Sequence, residues 1–232
     1  MPGASVTEGP GFFGKLPGHG DFVTRALPAD FVRRWDDWLQ ASLSASRGQL
    51  GEAWLELYLT SPVWCFALSA GVCGRAAVAG VLIPSVDRIG RYFPFTLACP
   101  LPEACRPLGL WREADAWYAA AEALALSALH EETSLAALLD GILDLGAPSH
   151  ADRSAAAGPA HGVRFAGDEA AATGDSLGRH LTDLAPVPSL WWSKGSQQVA
   201  PSVLISASLP RPESFAALLD GRWSAWGWGE AA

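Results

Sequence analysis

The sequence predicts an α/β fold in a single domain: a central mixed β-sheet with helices packed on both faces, in a three-layer sandwich. Three observations carry that expectation. The stretch from Val63 to Pro100 holds three apolar runs of strand length, separated by a Gly-containing break at 70–74 and a charged one at 85–91. The second and third runs are nearly continuous apolar, which is the pattern of strands covered on both faces. Amphipathic helical stripes stand before and after this stretch, so strands and helices interleave along the chain. The domain is expected to span residues 1–232, with a flexible Ala/Gly-rich insertion at about 147–175.

Residues 1–10 are small and polar and read as a frayed end. Gly11 to Leu16 reads as a first strand, and Pro17 to Phe22 as a turn rich in breakers. A helix is expected from Pro28 to about Gln49. Pro28 suits its first turn, and Asp30 complements the positive helix end. Phe31, Trp35, Trp38, Leu39 and Leu43 share one face, and Arg33, Arg34, Asp36, Asp37 and Gln40 the other. A shorter helix, Glu52 to Thr60, carries Trp54, Leu55, Tyr58 and Leu59 and stops at Ser61-Pro62. Gly71 and Gly74 suit a hairpin turn between the first two central strands, since glycine reaches positive φ without steric cost. Pro100 to Gly109 reads as a crossover loop and Leu110 to His130 as one long alanine-rich helix. Ser134 to Leu145 reads as a further helix, capped by Ser134. A short strand near Val163-Arg164-Phe165, a pair of strands at Ser189–Ser193 and Ser202–Leu209, and a helix at Pro212–Asp220 complete the order. Trp223, Trp226 and Trp228 either pack back onto the sheet, the favoured reading, or form a contact patch.

Half of the residues are hydrophobic and 17% are charged, the balance of a globular chain. A net charge of −8, with Lys15 and Lys194 as the only lysines, argues against sequence-independent nucleic-acid binding. Eleven tryptophans supply large burial, some of it expected at an interaction surface. Cys65, Cys73, Cys99 and Cys105 show no C-x-x-C spacing and read as reduced core residues, although Cys65 and Cys73 flank the hairpin. His150, His161 and His180 lack metal-ligand spacing and read as surface histidines. No metal or cofactor is expected. No signal-like segment and no apolar run of about 18 residues appears, so a soluble, cytoplasmic protein without membrane insertion is expected.

Ser85 to Arg91 is the one charged island in the central stretch, and a loop held by two buried strands is where recognition is expected. The candidate residues are Lys15, Asp21, Ser85, Asp87, Arg88 and Arg91, as an interface or as ties that lock the loop. Arg88 and Arg91, three apart, suit an anion clamp, and with Lys15 they suggest a phosphate or small-anion sensor. The alternative is that the arginines pair with Asp21 or Asp87. Gly9 and Gly14-Lys15 have P-loop spacing, but Leu16 stands where Ser or Thr would hold magnesium, and Pro17 opposes a following helix. Ser85, His19 and an aspartate could form a hydrolase triad on paper, yet no G-x-S-x-G elbow supports it. Asp87 is the only acid in the central strands and loops, which leaves no carboxylate pair for glycoside hydrolysis.

Two blocks, Gly11-Phe12-Phe13-Gly14-Lys15-Leu16-Pro17-x-x-Gly20-Asp21-Phe22 and Gly80-Val81-Leu82-x-Pro84-Ser85-Val86-Asp87-Arg88-x-Gly90-Arg91-Tyr92-Phe93-Pro94, together resemble the TagF family of type VI secretion-associated proteins. Trp35-Asp36-x-Trp38-Leu39 and Pro62-Val63-Trp64-x-Phe66 are also similar, and the resemblance spans roughly residues 11–145. The chain looks like the stand-alone form, without the phosphatase domain fused to some relatives. The resemblance implies a non-enzymatic, cytoplasmic, post-translational repressor of type VI secretion. Such a protein binds a forkhead-associated (FHA) scaffold of the apparatus, independently of the threonine kinase–phosphatase switch. It implies no catalytic residues.

Overall fold

The computed structural model describes residues 9–149, 163–166 and 188–230, with the backbone alone at 163–166 and at Glu230. The chain opens with two short strands, β1 (Gly11–Gly14) and β2 (Val23–Arg25), then helix α1 (Ala29–Leu50) and, after one 3-10 turn, α2 (Trp54–Leu59). Three strands follow: β3 (Trp64–Leu68), β4 (Ala77–Ile83) and β5 (Phe95–Leu101). Helices α3 (Pro107–Glu113), α4 (Asp115–Ser127) and α5 (Leu135–Leu145) precede β6 (Val163–Ala166), β7 (Ser189–Ser193) and β8 (Ser202–Ser206). A helical turn at Ala217–Asp220 and strand β9 (Gly229–Glu230) end it. The strands form one sheet, in the order β2-β1-β5-β4-β3-β7-β8-β6-β9. Every neighbouring pair is antiparallel except β6 with β9, which is parallel and makes the sheet mixed.

The two faces are filled differently because successive strand residues point to opposite sides. Phe66, Leu68, Val78, Leu82 and Trp191 face α1, α2 and the C-terminal segment. Cys65, Ala67, Ala79, Val81, Leu97 and Cys99 face α4 and α5. The first layer is aromatic. Trp35 is fully buried, its ring centroid 4.7 Å from Phe66, 4.8 Å from Trp38 and 5.9 Å from Trp191, and its Nε1 donates to Thr96 Oγ1 at 2.8 Å. Gly80 makes room for this stack: a Cβ there would collide with the Phe66 ring and stand 2.6 Å from Leu97 O. The second layer is built from small residues. Ala121 and Ala125 of α4 are fully buried on the alanines of β3 and β4, which brings helix and sheet close.

The β3–β4 hairpin turns at Gly71 and Gly74 with φ of 93° and 133°, as expected. Ser134 caps α5, its side chain accepting from Ala137 N. Trp223 and Trp228 pack into the aromatic layer, and Trp226 Nε1 donates to both carboxylate oxygens of Asp220. All four cysteines are buried and none is in a disulfide, with Cys65 and Cys73 in different layers. Burial pushes the Cys65, Cys73 and Cys99 thiols up to about 12.

Two expectations need correction. The long helix from Leu110 is two helices, because Pro107 starts the first one early and Ala114 leaves helical geometry at φ −106°, ψ 23°. The crossover loop is correspondingly shorter, since β5 runs to Leu101. In α2, Trp54 and Tyr58 are buried, and Leu55 and Leu59 are exposed. The insertion expected at about 147–175 lies outside the described residues, apart from 147–149 and strand β6, which falls where a short strand was expected. His150, His161 and His180 lie outside them too. No described helix is long and apolar enough to cross a membrane.

Candidate functional site: the charged loop between two buried strands

The loop from Pro84 to Pro94 is folded by its own backbone first. Asp87 N donates to Arg91 O and Gly90 N to Asp87 O, each at 3.0 Å, with Gly90 at φ 84°. Val86 and Tyr92 form an isolated antiparallel bridge, and Phe93 N donates to Ser85 O at 3.1 Å. This tight reversal turns the Asp87 side chain inward, where it is fully buried. Its Oδ1 accepts from Ile89 N at 3.0 Å and Arg91 N at 2.9 Å. Its Oδ2 accepts from Lys15 Nζ at 2.5 Å and Arg91 Nε at 2.6 Å. Burial alone would raise this carboxyl. The donors from Lys15, Arg91 and Ile89 outweigh it and hold Asp87 well below the usual carboxylate range. Arg91 is correspondingly raised by its hydrogen bond to Asp87, against its own desolvation.

The same loop grips the segment that follows β1. Ser85 Oγ donates to Lys15 O at 2.7 Å. Arg88 N donates to His19 O at 3.0 Å, and Arg91 Nη2 donates to Gly20 O. Arg91 also stands 3.5 Å from Asp21, whose side chain is almost wholly in solvent. Lys15 Nζ lies 5.0 Å from the Phe22 ring centroid. From the aromatic layer Tyr58 closes the assembly: its hydroxyl donates to Ser85 O at 2.8 Å and accepts from Ser85 N at 2.9 Å. The two motif blocks, some seventy residues apart in the chain, are therefore one structural unit.

Of the candidate residues, Lys15, Ser85 and Asp87 are buried ties that lock the loop, so they are not available as an interface. Arg91 is half-exposed and tied to Asp87. Arg88 and Asp21 are exposed, next to Ile89 at 66% exposure and Phe22 at 46%. The anion clamp of Lys15, Arg88 and Arg91 is not assembled, because Lys15 and Arg91 are committed to Asp87. Ser85 Oγ is committed to the Lys15 carbonyl, and the buried Nδ1 of His19 has no hydrogen-bond partner among the described residues, so no Ser-His-Asp chain is formed. Gly14 ends β1 against the Pro94 backbone, which gives the Gly14-Lys15 pair a packing role rather than a phosphate-cradling one. No cluster of His, Cys, Asp and Glu among the described residues could hold a metal ion.

One part of this site, Tyr58, and one residue of the neighbouring strand β2, Arg25, carried no sequence signal. Tyr58 reads as one more aromatic in a helical stripe. Arg25 reads as loop, because β2 is only three residues long and follows a run of breakers.

Residues 11–145 match a family model described as the TagF N-terminal domain, type VI secretion system-associated. The matched span holds both halves of the loop assembly. The chain is also similar to the protein in the crystal structure of PA0076 from Pseudomonas aeruginosa PAO1. Identity is 39%, the TM-score is 0.76, and the match covers 92% of this chain and 94% of that one. No curated protein matches.

Proposed function

The chain belongs to the TagF N-terminal-domain family of type VI secretion-associated proteins, and on that premise we propose that it is a non-enzymatic regulator acting by protein–protein binding. It represses the type VI secretion apparatus after translation, on the cytoplasmic side, by docking on an FHA-domain scaffold, with residues 1–232 acting as one unit. The observation that supports this reading is the division of labour in the loop. Lys15, Ser85 and Asp87 hold two chain segments rigidly together, and that leaves Arg88, Ile89, Asp21 and Phe22 presented as a mixed apolar and charged surface. A fixed rim of this kind binds with little ordering cost.

The test is calorimetric titration of the purified chain with the purified FHA scaffold of the same apparatus. Wild type binds. The double variant Arg88→Glu/Ile89→Asp, shown by circular dichroism to be folded, binds about tenfold or more weakly, about 1.4 kcal/mol. Equal binding by wild type and variant would remove this face from the interaction, and no binding by wild type would remove the scaffold.

A further inference from the structure

The edge strand β2 and helix α5 flank a cleft of about 450 Å3 on the side of the sheet opposite the tryptophan layer. The size is that of a ligand site. Its floor is apolar: Phe12 is fully buried, Val23 nearly so, and Leu135 and Leu139 of α5 are only partly covered. Its rim is cationic. Arg25 and Arg88 line it, and neither guanidinium lies within 4.0 Å of a carboxylate among the described residues. Among the described residues, Arg25 Nη1 donates only to the Thr24 carbonyl, at 3.0 Å. Asp21 also lines the cleft, but Arg91 stands 3.5 Å from its carboxylate. On a chain of net charge −8, an apolar trough flanked by two guanidiniums without carboxylate partners is complementary to an acid attached to an apolar group.

The strand order narrows the source of that acid. β2 is the outermost strand, paired only with β1 among the described residues, and all three of its residues line the cleft. An open strand edge beside an apolar trough is the setting in which an extended peptide adds main-chain hydrogen bonds while its side chains fill pockets. We propose that the cleft between β2 and α5 receives an extended acidic segment of a partner protein. One aliphatic or aromatic side chain of that segment sits on Phe12, Leu135 and Leu139, and its carboxylates meet Arg25 and Arg88. This rests on the protein-binding reading above and names the chemistry of the partner beside the same loop.

The test is selection of a random-peptide display library on the full chain, followed by calorimetry with the enriched peptides made synthetically. The expected enrichment is Asp or Glu flanking a single Leu, Ile or Phe. Arg25→Glu and, separately, Leu139→Ala each weaken binding about tenfold or more, and Arg25→Glu, at an exposed side chain, leaves the thermal midpoint in place. The proposal is overturned by enrichment of uncharged or basic peptides, by acidic peptides that bind Arg25→Glu as tightly as wild type, or by no enrichment at all. It is also overturned if inorganic phosphate at low millimolar concentration displaces the peptides fully, since the occupant is then a free anion. Self-association of the wild-type chain that Arg25→Glu abolishes would put a second copy in the cleft and overturn it as well. The FHA scaffold separates the two readings. If it binds wild type, Arg25→Glu and Leu139→Ala alike, the cleft falls and the docking role stands; if acidic peptides select the cleft but the scaffold does not bind wild type, the reverse holds.

Discussion

The inner and outer halves of the loop between β4 and β5 put charge to opposite uses. Inside, the Asp87 carboxylate accepts four hydrogen bonds and is fully buried, with Lys15 only 5% exposed at the side chain. Outside, one residue along, the Arg88 guanidinium is in solvent without a carboxylate partner among the described residues. A buried ion keeps its charge only if its hydrogen-bonding capacity is filled, so the inner half is over-determined and immobile. The outer half has no such constraint and is available to a partner. A charged loop between apolar strands is thus two functions in series, a clamp and a display, and depth decides which residue serves which.

The largest expected effect breaks the clamp. Asp87→Ala strands the buried Lys15 ammonium and removes the acceptor for two backbone N–H groups, so it lowers the thermal midpoint more than any substitution on the rim. A double variant, Lys15→Met/Asp87→Leu, recovers part of the loss, because no isolated charge remains. An unchanged midpoint in Asp87→Ala would show that the clamp does not hold the loop. The acid side of the stability curve reports the same contact. In the folded chain the Asp87 carboxyl titrates below its unfolded value near 3.9, so the unfolded state binds the extra proton in acid. The stabilisation is complete above that value and drains away as pH falls through the acid range. Asp87→Asn removes this share of the acid limb, which urea titrations at successive pH values resolve.

A middle-sized effect separates clamp from core. Tyr58→Phe leaves the ring stack on Trp54 in place, at 4.8 Å between centroids, but deletes the hydroxyl that serves both Ser85 N and Ser85 O. Leaving a buried N–H without a partner costs about 1–3 kcal/mol. Denaturant unfolding measures it. A cost near zero would mean that Ser85 is positioned by the strand ends alone and that the tyrosine contributes only its ring.

Much of this architecture was legible in the sequence, and what was not has a physical reason. The strands β3, β4 and β5 stand out because both of their faces are buried, which leaves runs with hardly a polar residue. The α1 stripe and the Ser134 cap follow from local geometry. The break at Ala114 does not, because buried Leu110, Ala114, Trp117 and Tyr118 keep helical spacing straight through it. β2 is set by its pairing with β1 across a turn, and three residues, two of them exposed, carry no period. In the site, the sequence identified the right residues but not their depth. That Asp87 turns inward depends on the reversal at Gly90 and on a lysine 72 positions earlier in the chain. The available hint was that Asp87 is the only acid in the central strands and loops, and that Lys15, one of only two lysines, sits at the end of an apolar strand.

The smallest expected change on stability is the sharpest on the comparison. Arg88→Ala removes a solvent-exposed guanidinium with no ion-pair partner among the described residues, while the Arg88 backbone keeps its hydrogen bond to His19 O. Surface changes of this kind shift folding free energy by no more than about 0.5 kcal/mol. Urea unfolding of Arg88→Ala should therefore overlay wild type, and its acid limb should be unchanged, since Asp87 retains every donor. If instead the variant unfolds markedly earlier, Arg88 belongs to the clamp, and the boundary between holding and display lies further out, at Ile89.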